Sequence, residues 1–290
     1  MQELTTCVID AHHHYWLYGK RRHKWPDRVD GRLDQSFLPN NLIPEMEQAQ
    51  VNGCILVQSL NDFDETCEFL HIASQYPHIL GVIGWLPLNG AKETLKYLEE
   101  VPLQHLLVGV RHLINFEPDP KWLLQTQVLD SISVLEDENL VFDVVPVNDD
   151  QFASVIKIAS AFPKLSIVID HLARPSIGLG KSAAWSNQIH RIAELPNVSI
   201  KLSVGLDILM GWEWSNEELQ TFVDEVLASF GSDRVMAASN WPVCTLAAQY
   251  CDVWKGIRTL VRKLPLPDQA KVLGENAYRI FSLSKSPIIN

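Results

Sequence analysis

The sequence predicts a (β/α)₈ TIM barrel that occupies the whole chain, residues 1–290, as a single domain. The prediction rests on eight short apolar runs, eight helical patterns in strict alternation with them, and a length that suits one large barrel. Most of the apolar runs are continuous, which is typical of parallel strands buried on both faces. An open doubly wound sheet shows the same alternation, but the count of eight favours the closed barrel.

Each predicted strand is followed by a predicted helix. The strands are Cys7–Asp10, Gly53–Gln58, Ile79–Trp85, Leu107–Arg111, Val141–Val145, Ser166–Asp170, Val198–Leu202 and Val235–Ser239. Apolar residues at helical spacing predict helices over Leu42–Val51, Thr66–Tyr76, Ala91–Glu100, Trp122–Glu138, Asp150–Phe162, Ala184–Leu195, Asn216–Phe230 and Leu246–Lys263.

Three further segments complete the predicted barrel. The connections Tyr15–Asn41 and Ser203–Ser215 are long and follow strands, so we expect them at the carboxyl-terminal face, where barrel active sites are built. Asp268–Phe281 predicts one more helix, which closes against the barrel.

Composition excludes several classes of partner. The formal net charge is −11, which disfavours binding to nucleic acid or to an anionic membrane surface. No apolar run is long enough to span a bilayer. The five scattered cysteines and the lack of an N-terminal signal pattern predict a reducing, cytoplasmic location. Whether the chain forms a homo-oligomer stays open.

Polar residues follow the predicted strands at their carboxyl ends. His12 and His14 are two residues apart at a strand end, so both imidazoles point the same way. Such a pair forms half of a metal site or one wall of an acid–base pocket. The other strand ends carry Gln58, Trp85, Arg111, His112, Asp143, Asn148, Asp170, His171, Lys201, Ser203, Ser239, Asn240 and Trp241. A ring of convergent polar groups above a packed barrel indicates a catalytic site.

Several motifs between residues 10 and 277 resemble those of amidohydrolase-related barrel proteins of the lactonase type. They are Asp10-x-His12-x-His14-x-Trp16, Gly109-Val110-Arg111-His112, Ile169-Asp170-His171-x-x-Arg174-Pro175, Ile200-Lys201-Leu202-Ser203, Ser239-Asn240-Trp241-Pro242-Val243 and Glu275-Asn276-Ala277. Their order and spacing together are far more specific than any one motif. Known activities of this group include hydrolysis of sugar-acid lactones, such as those of fucose and rhamnose catabolism, and of a pyrone dicarboxylate lactone. The wider superfamily also contains metal-dependent decarboxylases.

The resemblance implies roles for particular residues. His12, His14 and His171 match the family's active-site histidines, which either hold Zn²⁺ or another divalent metal or act without one. Three cationic residues match positions that hold the substrate's oxygens: Arg111, Arg174 and Lys201. Four tryptophans lie on or near the same rim, where their ring faces suit a sugar-derived ring: Trp16, Trp25, Trp85 and Trp241.

Asn240 departs from the family's pattern, which usually has an aspartate after the last strand. An amide orients a water molecule but does not take a proton from it at physiological pH. The general base would then be Asp143, His171 or a metal-bound hydroxide.

Three functions remain in view at this point. The first, which we favour, is a hydrolase that cleaves the carboxylic ester bond of a small lactone derived from a sugar acid, with His12, His14, His171 and Asn240 as its catalytic group. The second is a metal-dependent decarboxylase of the same superfamily. The third is a catalytically impaired binding relative in which Asn240 has replaced the aspartate.

Overall fold

The computed structural model describes residues 7–23, 29, 31–178, 180 and 182–284. Eight parallel strands follow one another around the sheet in chain order, which confirms the predicted barrel. The strands are β1 Ile9–His13, β2 Gly53–Val57, β3 Ile79–Gly84, β4 Leu107–Arg111, β5 Val141–Val144, β6 Ile167–Ile169, β7 Val198–Leu202 and β8 Val235–Ala237. Nearly every strand residue is buried, as the continuous apolar runs predict.

Helices cover the outside of the sheet. They are α1 Pro39–Gln48, α2 Phe63–Gln75, α3 Ala91–Glu100, α4 Thr126–Asp137, α5 Asp149–Ala161, α6 Ala183–Ala193, α7 Leu206–Leu209, α8 Asn216–Phe230, α9 Tyr250–Val261, α10 Leu266–Ala270 and α11 Asn276–Ile280. Each predicted helix is present, and α7 is an addition within the predicted connection Ser203–Ser215. No helix in the described part of the chain is long and apolar enough to cross a membrane.

Two predicted helices are shorter in the structure. The prediction over Trp122–Glu138 divides into a 3₁₀ turn at Trp122–Leu124 and α4, because the backbone of Gln125 is extended between them. The prediction over Leu246–Lys263 likewise divides into a 3₁₀ turn at Val243–Leu246 and α9. Apolar spacing alone does not reveal such breaks, since the side chains on both sides of each break still face the core.

The barrel closes between β1 and the segment that follows β8. The amide of Asn240 donates to the carbonyl oxygen of His12 at 2.9 Å, and the amide of His14 donates to the carbonyl oxygen of Trp241 at 2.7 Å. These two bonds place the histidines of β1 beside Asn240 at the carboxyl end of the barrel.

The buried carboxylate of Asp10 reinforces this closure. It accepts hydrogen bonds from the Ser239 amide at 2.9 Å, the Ser239 hydroxyl at 2.5 Å and the Tyr250 hydroxyl at 3.1 Å. Since Tyr250 belongs to α9, one side chain joins the first strand, the last strand and an outer helix.

The chain from α10 to α11 closes the opposite end of the barrel and confirms the predicted closing helix. A π-helical segment, Lys271–Glu275, joins the two helices and packs on β1 and β8. Phe281 and Leu283 pack inside the barrel with Ile9, Ile55 and Met236. The open end is therefore the one that carries the histidines.

Gly274 permits the closing segment to approach β1 closely. We therefore expect a side chain at this position to destabilise the fold. A Cβ at this position would lie 1.9 Å from the carbonyl oxygen of Cys7, so Gly274→Ala must displace the backbone. We expect a loss of about 1–3 kcal/mol in the free energy of unfolding, measured in urea. Gly211→Ala is the matched control, because a Cβ there meets nothing within 4 Å. Equal stabilities of the two variants would contradict this packing.

Candidate active site

The carboxyl ends of the strands open into a cavity of about 340 Å³. The predicted site residues that line it are His14, Trp16, Arg111, His171, Arg174 and Asn240. His12 and Lys201 are fully buried beneath its floor. The remaining two, Trp85 and Trp241, lie elsewhere, and Trp25 lies outside the described residues.

The sequence predicted that the first strand ends at Asp10, but β1 extends to His13. Its pairing with β2 shifts register between Asp10 and His13, and Ala11 packs in the interior of the barrel. The imidazoles of His12 and His14 converge, with their Nε2 atoms 3.0 Å apart. The alternate spacing therefore aims both rings at one point, as predicted.

The protonation of His14 follows from its partner. Its Nδ1 lies 2.8 Å from the carbonyl oxygen of Val57, and because a carbonyl only accepts, Nδ1 carries the proton. Burial, together with the charge of Arg111, lowers the pKa of His14 to about 3, so the ring is neutral at pH 7. Its Nε2 then presents a lone pair towards His12.

His12 lies between a carboxylate and an ammonium group. Its Nδ1 is 3.1 Å from Oδ1 of Asp170 and 3.1 Å from Nζ of Lys201. Burial lowers the pKa of His12 well below its usual value and outweighs the opposite effect of Asp170. His12 and His14 are thus both neutral and able to act as ligands.

Beneath the floor, two carboxylates and two cations form a balanced buried network. Nζ of Lys201 binds Asp143 and lies 3.0 Å from Oδ1 of Asp170. Nε of Arg111 lies 3.0 Å from Oδ2 of Asp170 and 3.6 Å from Oδ1 of Asp143. Such pairs offset the large cost of removing each ion from water.

The two carboxyl groups of this network differ in pKa. Burial and the neighbouring charge of Asp170 raise the pKa of Asp143 to about 7. Burial would also raise the pKa of Asp170, but Lys201, His12 and Arg111 together hold it well below its usual value. Asp170 is therefore the permanent anion at the centre of the site.

Three residues that the sequence predicted to bind substrate make other contacts in the structure. Lys201, predicted to bind substrate, is fully buried and holds Asp143 and Asp170 instead. The indole nitrogen of Trp85 donates to His112 at 3.0 Å. The ring of Trp241 packs edge-on against its aromatic neighbours Tyr15 and Phe37. None of these three predicted residues lines the cavity, because each side chain turns into the core or towards a neighbour.

His171 and Arg174 reach the cavity from an unusual turn after β6. Residues 171–174 all have left-handed backbone angles, with φ between 51° and 56°. Such a run in residues other than glycine is strained, and strain of this kind concentrates at functional sites. Nδ1 of His171 lies 2.8 Å from the hydroxyl of Ser203, and burial lowers the pKa of His171 to about 4.

Arg174 is paired across the cavity wall. Its Nη2 lies 2.7 Å from Oδ2 of Asp207, and its Nε donates to Oδ1 of the same carboxylate at 3.2 Å. The sequence assigned this guanidinium to substrate binding, but in the structure it forms a bidentate pair with the carboxylate of Asp207.

Asn240 lines the cavity with a fixed orientation. Its Nδ2 donates to the carbonyl oxygen of Val204 at 2.8 Å, which leaves Oδ1 as an acceptor. A carboxylate in this rotamer would bring its oxygen against that of Val204. The local structure therefore suits the amide that the sequence carries.

The structure brings together a set of possible metal ligands that differs from the predicted set, with Asp170 in place of His14. Among the described residues, His12, Asp170 and His171 form a buried group whose ligand atoms lie within 4.8 Å of one another. The sequence assigned this set to His12, His14 and His171, so Asp170 is the residue that was missed. The sequence does contain a signal for Asp170. Val168 of β6 packs inside the barrel, and residues two apart in an extended chain lie on the same face, so Asp170 also points inward.

The chain belongs to the amidohydrolase family, whose model matches residues 9–283. This confirms the resemblance seen in the motifs. It is 29% identical over 286 residues to an L-fucono-1,5-lactonase of Burkholderia ambifaria, covering 97% of both chains. The crystal structure of an amidohydrolase from Burkholderia multivorans with bound zinc is 27% identical, with a TM-score of 0.88 over 96% of this chain and 99% of that one. A dihydroxybenzoic acid decarboxylase of Polaromonas, 11% identical over 97% of this chain and 98% of that one with a TM-score of 0.69, shares the fold alone.

The buried network predicts a large loss of stability when one cation is removed. Lys201→Met leaves two buried carboxylates with Arg111 as their remaining cation. We expect a loss of about 3–5 kcal/mol in the free energy of unfolding, measured in urea. Adding Asp143→Asn to this variant restores the charge balance and should recover part of the loss.

Lys255→Met is the matched control for Lys201→Met. Lys255 is 74% exposed and pairs with Asp252 on the surface, so its loss should change stability by less than about 0.5 kcal/mol. A Lys201→Met variant as stable as this control would contradict the role of the network.

Proposed function

We propose that this protein hydrolyses the carboxylic ester bond of a small lactone, the class that includes the sugar-acid lactones favoured by the sequence. The observation that carries the proposal is the cavity floor, where Arg111 lies beside the neutral imidazoles of His14 and His171. The similarity to a lactonase over 97% of both chains supports the same reaction.

The floor provides groups that lactone hydrolysis needs. A guanidinium stabilises the negative charge that develops on the carbonyl oxygen when water attacks. Arg111 is suited to this role because Asp170 and the carbonyl oxygen of Gln58 hold it in place. The reaction adds water across the ester, breaks the ring C–O bond and releases a hydroxy acid.

His171 is the chain's own candidate base. Asp143, an alternative from the sequence, is fully buried beneath Arg111 and does not line the cavity. His171 lines the cavity, and its bond to Ser203 fixes the ring so that the other nitrogen exchanges a proton with water or the leaving oxygen. Asn240 offers Oδ1 as an acceptor that orients the water.

The histidine and aspartate side chains also fit a divalent metal ion. The ligand atoms of His12, Asp170 and His171 lie within 4.8 Å of one another, and both imidazoles are neutral, as metal ligands must be. We propose that His12, Asp170 and His171 hold such an ion, with His14 adjacent. Because Nδ1 of His171 faces Ser203, its Nε2 would then be a ligand, and His171 would act as the base only in the metal-free protein. When bound, it would polarise the carbonyl and lower the pKa of a water molecule. The single domain over residues 1–290 and the cytoplasmic location stay predictions of the sequence, which makes no prediction of the oligomeric state.

Hydrolysis is tested by acid release from a panel of aldonolactones and simpler lactones in a pH-indicator assay. We expect turnover by the wild type and a loss of about 100-fold or more in kcat/KM for His171→Ala. His190→Ala is the control, since this side chain is 60% exposed on α6 and should leave the rate unchanged. A panel without turnover, or an unaffected His171→Ala variant, would contradict the assignment.

Asn240→Asp separates an enzyme from an impaired binding relative. Because the new carboxylate faces the carbonyl oxygen of Val204, we expect kcat/KM at or below that of the wild type. An inert wild type together with an active Asn240→Asp variant would instead identify a binding protein that has lost its catalytic group.

Metal binding is tested by calorimetric titration with Zn²⁺ and by metal analysis. We expect the wild type to bind one ion per chain and His12→Ala to bind at least about tenfold more weakly, because a ligand is lost. The exposed His190→Ala variant should bind like the wild type. Equal binding by all three proteins would place the ion elsewhere.

A further inference from the structure

Much of the cavity lining besides the floor is apolar. Three connections at the carboxyl ends of β4, β5 and β7 supply these side chains, which are Leu113, Phe116, Val145, Val147, Leu206 and Met210. We refer to these six residues as the apolar wall. Phe116 is 55% exposed at the mouth, so a large ring faces solvent where a ligand would enter.

The polar groups above the floor are largely committed to partners within the protein. Arg174 forms the bidentate pair with Asp207. The indole nitrogen of Trp16 donates to the carbonyl oxygen of Gln35 at 2.8 Å. The hydroxyl of Ser59 lies 2.8 Å from Nε2 of His23 and donates to Glu65 at 2.5 Å.

Asn115, among the described lining residues above the floor, has an exposed side-chain amide with no hydrogen bond to the protein, and Arg174 keeps N–H donors beyond its pair with Asp207. A polyhydroxylated chain would need several such groups. Each hydroxyl buried without a partner weakens binding about fivefold to 100-fold. Each methylene group buried against apolar side chains strengthens it about fourfold.

We infer that the substrate is a lactone whose substituent away from the ester is apolar, an alkyl or deoxygenated chain rather than a polyhydroxylated one. This inference rests on the proposed lactonase function and narrows its substrate class. The ester lies on the floor by Arg111 and His171, and the substituent extends along the apolar wall. Water adds to the carbonyl carbon and the ring oxygen leaves with a proton, so the substituent takes no part in the bond changes.

The inference is tested with five-membered lactones that differ in the substituent at C4, of which the sugar lactone also carries hydroxyl groups on C2 and C3. γ-Butyrolactone, γ-valerolactone and γ-hexalactone form an alkyl series, and galactono-1,4-lactone matches γ-hexalactone in carbon number but is polyhydroxylated. We expect kcat/KM to rise about fourfold per methylene along the series. We also expect γ-hexalactone to exceed the polyhydroxylated lactone at least about tenfold.

Two further outcomes are distinguishable. If galactono-1,4-lactone is hydrolysed as fast as γ-hexalactone or faster, the inference is overturned and the lactonase function stands. If none of these lactones, including γ-butyrolactone, releases acid, the proposed function itself fails.

Variants of the apolar wall test the location of the substituent. Met210→Gln keeps the side-chain length but adds an amide, and Val147→Thr keeps the shape but adds a hydroxyl. We expect both to lower the ratio of γ-hexalactone to galactono-1,4-lactone activity about fivefold or more. Leu266→Gln is the matched control, because Leu266 is 55% exposed on α10 outside the cavity. A ratio unchanged in both wall variants would show that the substituent lies elsewhere and would overturn the inference.

Discussion

The buried ammonium group of Lys201 is the interaction on which the candidate active site depends. It contacts Asp143, Asp170 and Nδ1 of His12, and its charge lowers the pKa of Asp170. Below it, the ring of Phe281 from the closing segment lies 5.8 Å from Nζ. One cation thus connects the sealed end of the barrel to the groups beneath the cavity. Without it, two carboxylates would share a dry interior with one guanidinium.

The floor and the outer wall of the cavity consist of different kinds of side chain. Its floor consists of polar groups that strand ends hold rigidly, such as Arg111 and His14, while its outer wall comes from connections rich in apolar side chains. Strand-borne groups keep their positions because the barrel packs them on all sides, whereas connections vary without disturbing the barrel.

Backbone geometry decides how three residues of the site act. Asn240 has a positive φ of 59°, and its side-chain amide donates a hydrogen bond to the carbonyl oxygen of Val204. The surroundings therefore suit an amide at the position where the family usually has an aspartate. His171 and Arg174 lie on a left-handed turn, which brings both side chains to the cavity from adjacent positions in space. Residue type alone does not predict the turn, because Leu172, Ala173 and Arg174 rarely adopt these angles.

The sequence by itself determined the eight-stranded barrel, the closing helix, the family and the identity of the converging histidines. These follow from apolar periodicity and from motifs within a few residues of one another, which are local properties of the chain. Tertiary structure alone decided that Lys201 lies beneath the floor, that Arg174 is paired with Asp207 and that Asp170 joins the histidines. Burial depth and ion pairing depend on which side chains of distant strands meet across the barrel, and spacing along the chain does not contain that information.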